Sequence, residues 1–205
     1  MQTTANTPKT QKKLVDELLR RYNGVLLTRD AVAAGVSRET LSQLAQKGEL
    51  IHDSRGVYLG PDEWGDELYS MQRLAPKIIY SHETALFLHQ LGDRTPPYHA
   101  ITVPSGYGVS PSVKRRSRVY YIRPELWELG KTTLPSNYGH DVAVYNAERT
   151  ICDVLRSRRR LDTQTFSGAL NRYAALRHKK INLLMAYAEQ LHVQKLMQQY
   201  MEVLL

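Results

Sequence analysis

The chain has 205 residues and a single cysteine, Cys152. One thiol excludes an intramolecular disulfide and any cysteine-based zinc cluster. Cys152 sits in Ala147-Glu-Arg-Thr-Ile-Cys-Asp-Val-Leu, an apolar helical stretch, and reads as a core residue. No run approaches the roughly 18 consecutive apolar residues that a membrane helix needs. The opening Met1-Gln-Thr-Thr-Ala-Asn-Thr-Pro-Lys lacks the apolar core of a signal peptide and reads as disordered to Pro8. The expectation is a soluble, intracellular, cytoplasmic protein with no membrane partner. Internal repeats and low-complexity tracts are also missing.

Catalytic signatures are equally scarce. No Asp/Glu-x-Lys triplet occurs, so the usual two-metal nuclease pattern lacks its lysine. His82 and His89 stand two helical turns apart with Glu83 on another face, a poor arrangement for a His-Glu-x-x-His zinc site. There is no phosphate loop, and Gly106-Tyr-Gly opens no apolar helix. The expectation is a non-enzyme with no cofactor and no metal.

Acidic residues are outnumbered, with 20 Asp and Glu against 28 Lys and Arg, giving a net charge of +8. That balance favours a polyanionic partner. The first sixty residues hold nine basic and six acidic side chains, so most of the surplus lies downstream.

What the chain does have is a helix-turn-helix pattern with a following hairpin, from Thr28 to Gly60. Ala31 lets two short helices approach closely, and Gly35 closes the first with a positive φ that a Cβ would disfavour. Ser37 caps the second helix. Leu41 and Leu44, three residues apart, face inward and turn Arg38, Glu39, Ser42, Gln43, Gln46 and Lys47 outward. Arg pairs bidentately with guanine and Gln with adenine in the major groove, so this face suits direct base readout of double-stranded DNA. Leu50-Ile51 and Val57-Tyr58-Leu59 flank Asp53-Ser54-Arg55-Gly56, a hairpin turn signal that puts Arg55 at the tip as a phosphate or minor-groove contact. A preceding helix from about Lys9 to Tyr22, with Leu14, Val15, Leu18, Leu19 and Tyr22 as its buried stripe, completes a three-helix winged module.

The acidic, turn-rich Pro61 to Glu67 reads as a linker, although Glu67 to Leu74 has the pattern of a helix leading onward. We therefore place a winged helix-turn-helix domain at residues 1–64 and a second domain at 65–205. The fold class is α+β: the winged domain, then a larger mixed α+β domain with a helical C-terminal tail. In the second domain, Ser81 caps a helix carrying Ala85, Leu86, Leu88 and Leu91 and stopped by Gly92. Strands follow at Tyr98 to Val103, Val119 to Ile122 and Val142 to Tyr145. Helical periodicity then runs from Asn146 almost to the end, broken at Arg158-Arg-Arg-Leu-Asp and Arg177-His-Lys-Lys.

Three basic clusters punctuate this domain. Such runs are usually solvated helix ends, where cations oppose the C-terminal dipole. Three in one domain also fit a positive face for DNA, RNA or an acidic protein, and the candidates for it are Lys114, Arg115, Arg116, Arg118, Arg158, Arg159, Lys179 and Lys180.

The order of motifs resembles the AbiEi-type antitoxins across nearly the whole chain. The residues that carry it are the winged module, Ser81-His-Glu-Thr-Ala-Leu-Phe-Leu-His-Gln-Leu-Gly, Ile101-Thr-Val-Pro, and Tyr145-Asn-Ala-Glu-Arg-Thr-Ile-Cys-Asp-Val-Leu. The resemblance implies the antitoxin of an abortive phage-infection system of type IV toxin-antitoxin character. It implies an N-terminal domain that represses its own operon at promoter inverted repeats. It also implies a C-terminal domain that counteracts a neighbouring nucleotidyltransferase toxin without a stable complex. Base readout then falls to Arg38, Glu39, Thr40, Ser42, Gln43 and Gln46, and wing contact to Arg55. A second reading is a stand-alone winged-helix transcription factor whose C-terminal domain senses a ligand or oligomerises.

Overall fold

The leading amphipathic stretch forms α1 (Pro8–Arg21), which buries Val15 and Leu18 on one face. A computed structural model describes residues 8–204 of the chain, so the expected disorder of the first residues falls outside what is described. Two units emerge, residues 1–74 and 75–205, and the fold is mixed α+β.

In the first unit α1 is followed by β1 (Val25–Leu27), α2 (Thr28–Ala33), α3 (Arg38–Gln46), β2 (Ile51–Ser54), β3 (Val57–Leu59) and α4 (Glu67–Leu74). The strands pair antiparallel in the order β1-β3-β2, with Leu26 opposite Tyr58 and His52 opposite Tyr58. Val15, Leu18, Leu26, Ala31, Val36, Leu41, Leu44 and Leu50 make one core cluster. Strand β1 was not visible in the sequence, because its three residues are apolar without alternation and all three are buried.

The sequence puts the domain division after residue 64, whereas the structure groups α4 with the first unit. The reason is Arg73, which ion-pairs with Asp30, donates to the Val25 carbonyl at 3.1 Å and lies 3.8 Å over the Tyr22 ring. Tyr69 and Leu74 add apolar contact against Val25, Leu27, Val57 and Leu59. Pro61 to Glu67 is therefore a connection within this unit.

The second unit holds a five-stranded mixed sheet in the order β6-β5-β4-β8-β7. Its elements run β4 (Ile79–Tyr80), α5 (His82–Leu88), β5 (His99–Pro104), α6 (Pro111–Lys114), β6 (Ser117–Ile122), α7 (Pro124–Trp127), β7 (Lys131–Pro135), β8 (Asp141–Tyr145) and α8 (Ala147–Arg156). A 3₁₀ turn (Arg158–Arg160), α9 (Thr163–Ala175), α10 (Ile181–Gln190) and α11 (Gln194–Leu204) complete it. Strands β5 and β6 pair parallel over six residues, and β4 pairs parallel with β8. The helices supply most of the core, including Leu86, Ile151, Val154, Leu170, Leu184 and Met197. Cys152 is fully buried in it, and burial pushes its thiol well above the ordinary range, as befits an inert core thiol.

Two expectations for α5 need correction. The helix ends at Leu88 and not near Gly92, because Gln90 adopts φ +59 and breaks the helical path. Ser81 stands at the N-cap position, yet its hydroxyl makes no capping bond; it is held by Thr102 and His82. Among the described residues no helix is long and apolar enough to cross a membrane.

Helix α8 is anchored by a charge with no exposure to water. The Arg149 guanidinium donates to the Asp153 carboxylate at 3.0 Å and to the Leu126 and Leu129 carbonyls at 2.9 and 2.8 Å, over the Tyr145 ring at 4.2 Å. Burial pushes the Asp153 carboxyl above its ordinary range and Arg149 opposes that push. At Gly130, with φ +74, an added Cβ would stand 2.6 Å from the Arg149 Cβ, so the loop and the arginine fit only with glycine there. We predict that Arg149→Ala lowers stability by about 3 to 5 kcal/mol, because Asp153 is left buried and unpaired. A urea midpoint equal to wild type would refute this.

Candidate nucleic-acid interface

The turn between α2 and α3 forms as its residues dictate. Gly35 adopts φ +97, and no atom lies within 4 Å of where a Cβ would stand, so the requirement is one of backbone conformation alone. Val36 then turns inward, 1% exposed. The Ser37 hydroxyl accepts from the Thr40 backbone N–H at 3.0 Å, the N-cap expected of it.

Leu41 and Leu44 are buried, while Arg38, Glu39, Ser42, Gln43, Gln46 and Lys47 are all exposed. The six therefore share the solvent side of one short helix. Gln43 donates weakly to Glu39 at 3.4 Å, a bond readily exchanged for a base edge. Thr40 departs from its expected role. It is half-buried and its hydroxyl donates to Gln11 on α1, so it serves the packing of α1 against α3.

Gln11 escaped the sequence reading. It is 7% exposed, and its carbonyl oxygen also accepts from the Ser37 backbone N–H at 3.1 Å. One amide oxygen thus fixes the start of α3. The available signal was a polar residue in register with the apolar stripe, four before Val15 and seven before Leu18.

The hairpin turns at Arg55-Gly56, with Gly56 at φ +82 and a bulge between His52 and Ser54. Arg55 is exposed at the turn, as expected. His52 and Tyr58 pair across the strands with ring centroids 5.1 Å apart, which stiffens the ribbon that carries the arginine.

The downstream basic residues fare unevenly. Lys114, Arg115, Arg159 and Lys180 are exposed, whereas Arg116, Arg158 and Lys179 are half-buried. Arg118 is committed to Glu83 at 2.7 Å and is not an unpaired cation. Lys179 reaches the Leu176 carbonyl at 3.3 Å, and Arg158 reaches that of Leu155 at 3.3 Å. These are the helix-end roles that such runs usually take. No cluster of three or more His, Cys, Asp or Glu side chains disposed to hold a metal occurs among the described residues.

Residues 13–59, from within α1 to the end of β3, match the family model described as a transcriptional regulator, AbiEi antitoxin. No curated protein shows a significant match to the sequence. Among solved structures, the RV2827C protein from Mycobacterium tuberculosis matches with a TM-score of 0.62 at 13% identity, covering 87% of this chain and 70% of that one. At that identity the likeness concerns the fold.

We predict that Gln11→Leu, which keeps volume and removes the acceptor, lowers stability by about 1 to 2 kcal/mol. It should also speed amide exchange at Ser37. Unaltered exchange there would remove Gln11 from its assigned place.

Proposed function

We propose that this chain, which carries an AbiEi antitoxin regulator domain over residues 13–59, is a DNA-binding transcriptional autorepressor and the antitoxin of a toxin-antitoxin operon that acts in abortive phage infection. The first unit is then a winged helix-turn-helix, with α3 as recognition helix and the β2–β3 hairpin as wing. The observation that carries the reading is the polar side of α3: six exposed, hydrogen-bonding residues on a helix whose other side is locked by Leu41, Leu44 and Gln11. Arg38 and Gln43 are the side chains suited to guanine and adenine. Arg55 at the hairpin turn supplies a backbone contact. Helix-turn-helix dimers bind repeated half-sites about one helical turn apart, so promoter inverted repeats in double-stranded DNA are the natural target.

The second unit counteracts a nucleotidyltransferase toxin encoded beside it, in the cytoplasm, without catalysis of its own and without a lasting complex. The exposed Lys114 and Arg115 are the residues we assign to that task first.

In gel-shift titrations, Arg38→Ala and Gln43→Ala should each cost about 1 to 3 kcal/mol of discrimination between operator and mutated operator. Arg55→Ala should weaken binding to all sequences alike and reduce the salt slope by about 1. Wild-type affinity in both recognition-helix variants would dismiss α3 as the reading element.

Division of labour between the units has its own test in cells carrying the toxin. Arg38→Ala should still restore growth at matched protein level although it no longer represses the promoter. Loss of rescue together with loss of repression would overturn the assignment of antitoxicity to the second unit.

A further inference from the structure

A cavity of about 560 Å³ lies wholly within the second unit, between β6, the start of α5 and the end of α8 with its 3₁₀ turn. Four arginines line it, Arg156, Arg158, Arg159 and Arg160, against one carboxylate, Asp153. That carboxylate is already consumed by Arg149. No ion pair engages Arg156, Arg159 or Arg160 among the described residues, so the cavity gathers four arginines against a single carboxylate that Arg149 already holds.

Behind these arginines stands a hydrogen-bonded chain with a fixed direction. Thr102 donates to the Ser81 hydroxyl at 2.8 Å. Ser81 is fully buried, and the acceptor its own proton meets is His82 Nδ1, at 2.9 Å. In that arrangement the ring proton sits on Nε2, 3.0 Å from the Ser157 hydroxyl, which accepts it. The Ser157 proton is left over for the cavity that this residue lines. Burial, followed by the surrounding arginines, holds the His82 imidazole neutral by driving its pKa well below the ordinary value.

His82 is held tightly for this purpose. It sits at φ +45, a conformation that a bulky L-residue rarely adopts, and its ring stacks on Tyr120 at 3.5 Å with planes 10° apart. Unfavourable backbone conformations kept by surrounding contacts concentrate at ligand clamps. Ser81 and Thr102 serve His82, and His82 serves Ser157.

We propose that this cavity binds a small phosphorylated molecule of nucleoside di- or triphosphate size, with its oxyanions held by Arg156, Arg159, Arg160 and the Ser157 hydroxyl. The lining presents donors and no unengaged carboxylate, which suits a ligand made of acceptors. A terminal phosphate carries about two negative charges at neutral pH, so a di- or triphosphate balances the arginines where a single carboxylate would not. The volume falls within the range of small-molecule sites. A duplex backbone calls for cations spread along an extended track, whereas these converge on one concavity. The site stands independently of DNA binding by the first unit.

Isothermal titration of the full chain with ATP, inorganic triphosphate and adenosine tests the assignment. ATP and triphosphate should bind saturably at one site per chain, and adenosine should not bind. Arg159→Ala, an exposed substitution that spares the fold, should weaken both phosphate probes about tenfold, and Arg156→Ala likewise. Arg55→Ala, in the other unit, should leave them unchanged. The proposal is overturned if neither phosphate probe gives a saturable isotherm, or if both cavity variants titrate as wild type does. It is also overturned if these variants lose affinity for duplex DNA while the wild type ignores ATP, since the cavity would then be a nucleic-acid contact.

Discussion

The second unit depends on the enclosure of one guanidinium. Arg149 has no contact with water, and a buried charge is tolerated where acceptors gather around it: its Nε and Nη1 find them here, while Nη2 has no hydrogen-bond partner. Meeting that demand ties α8 to three places at once: to its own next turn through Asp153, to the loop around α7 through the Leu126 and Leu129 carbonyls, and to β8 through the Tyr145 ring. Gly130 and the Tyr145 hydroxyl, which donates to the Trp127 carbonyl at 2.7 Å, close the same arrangement. The end of α8 is thereby fixed relative to the sheet. Ser157 and the arginines beside it inherit their position from that fixation.

The first unit solves a similar problem with less charge. Arg73 fastens α4 to β1 and α2, and Gln11 fastens α1 to the start of α3. Both lie on the inner side of helices, so they act on the backbone that presents α3 and leave its outer face uncommitted. A polar contact at the first turn of a helix sets the direction of every side chain that follows. For that reason Thr40, the one expected readout residue on the inner border of α3, is spent on packing.

Much of this was legible in the residues, and the exceptions share a cause. The turn at Gly35, the cap at Ser37, the inward Leu41 and Leu44 and the hairpin tip at Arg55 are local requirements of backbone and periodicity, so a single sequence displays them. Strand β4 has two residues, and β7 alternates half-buried and exposed positions at the sheet edge without an apolar run. Neither leaves a pattern that periodicity detects. The engagement of Arg118 by Glu83, of Thr40 by Gln11 and of Arg73 by Asp30 joins residues 29 to 43 positions apart. Such pairings are settled by tertiary packing, and they decided which polar residues were available for function and which were not.

The basic clusters make the same point in reverse. Read as runs of letters they are three equivalent patches, and a uniform positive face follows. In the fold they separate by environment. Lys179 and Arg158 satisfy carbonyls at helix ends, Arg118 meets a carboxylate, and Lys114 and Arg115 stand exposed. The run from Arg156 to Arg160 curls around a concavity at whose base a buried histidine bonds the Ser157 hydroxyl. Net charge draws a polyanion to the protein, but the last arrangement adds convergence on one concavity, which a charged surface lacks.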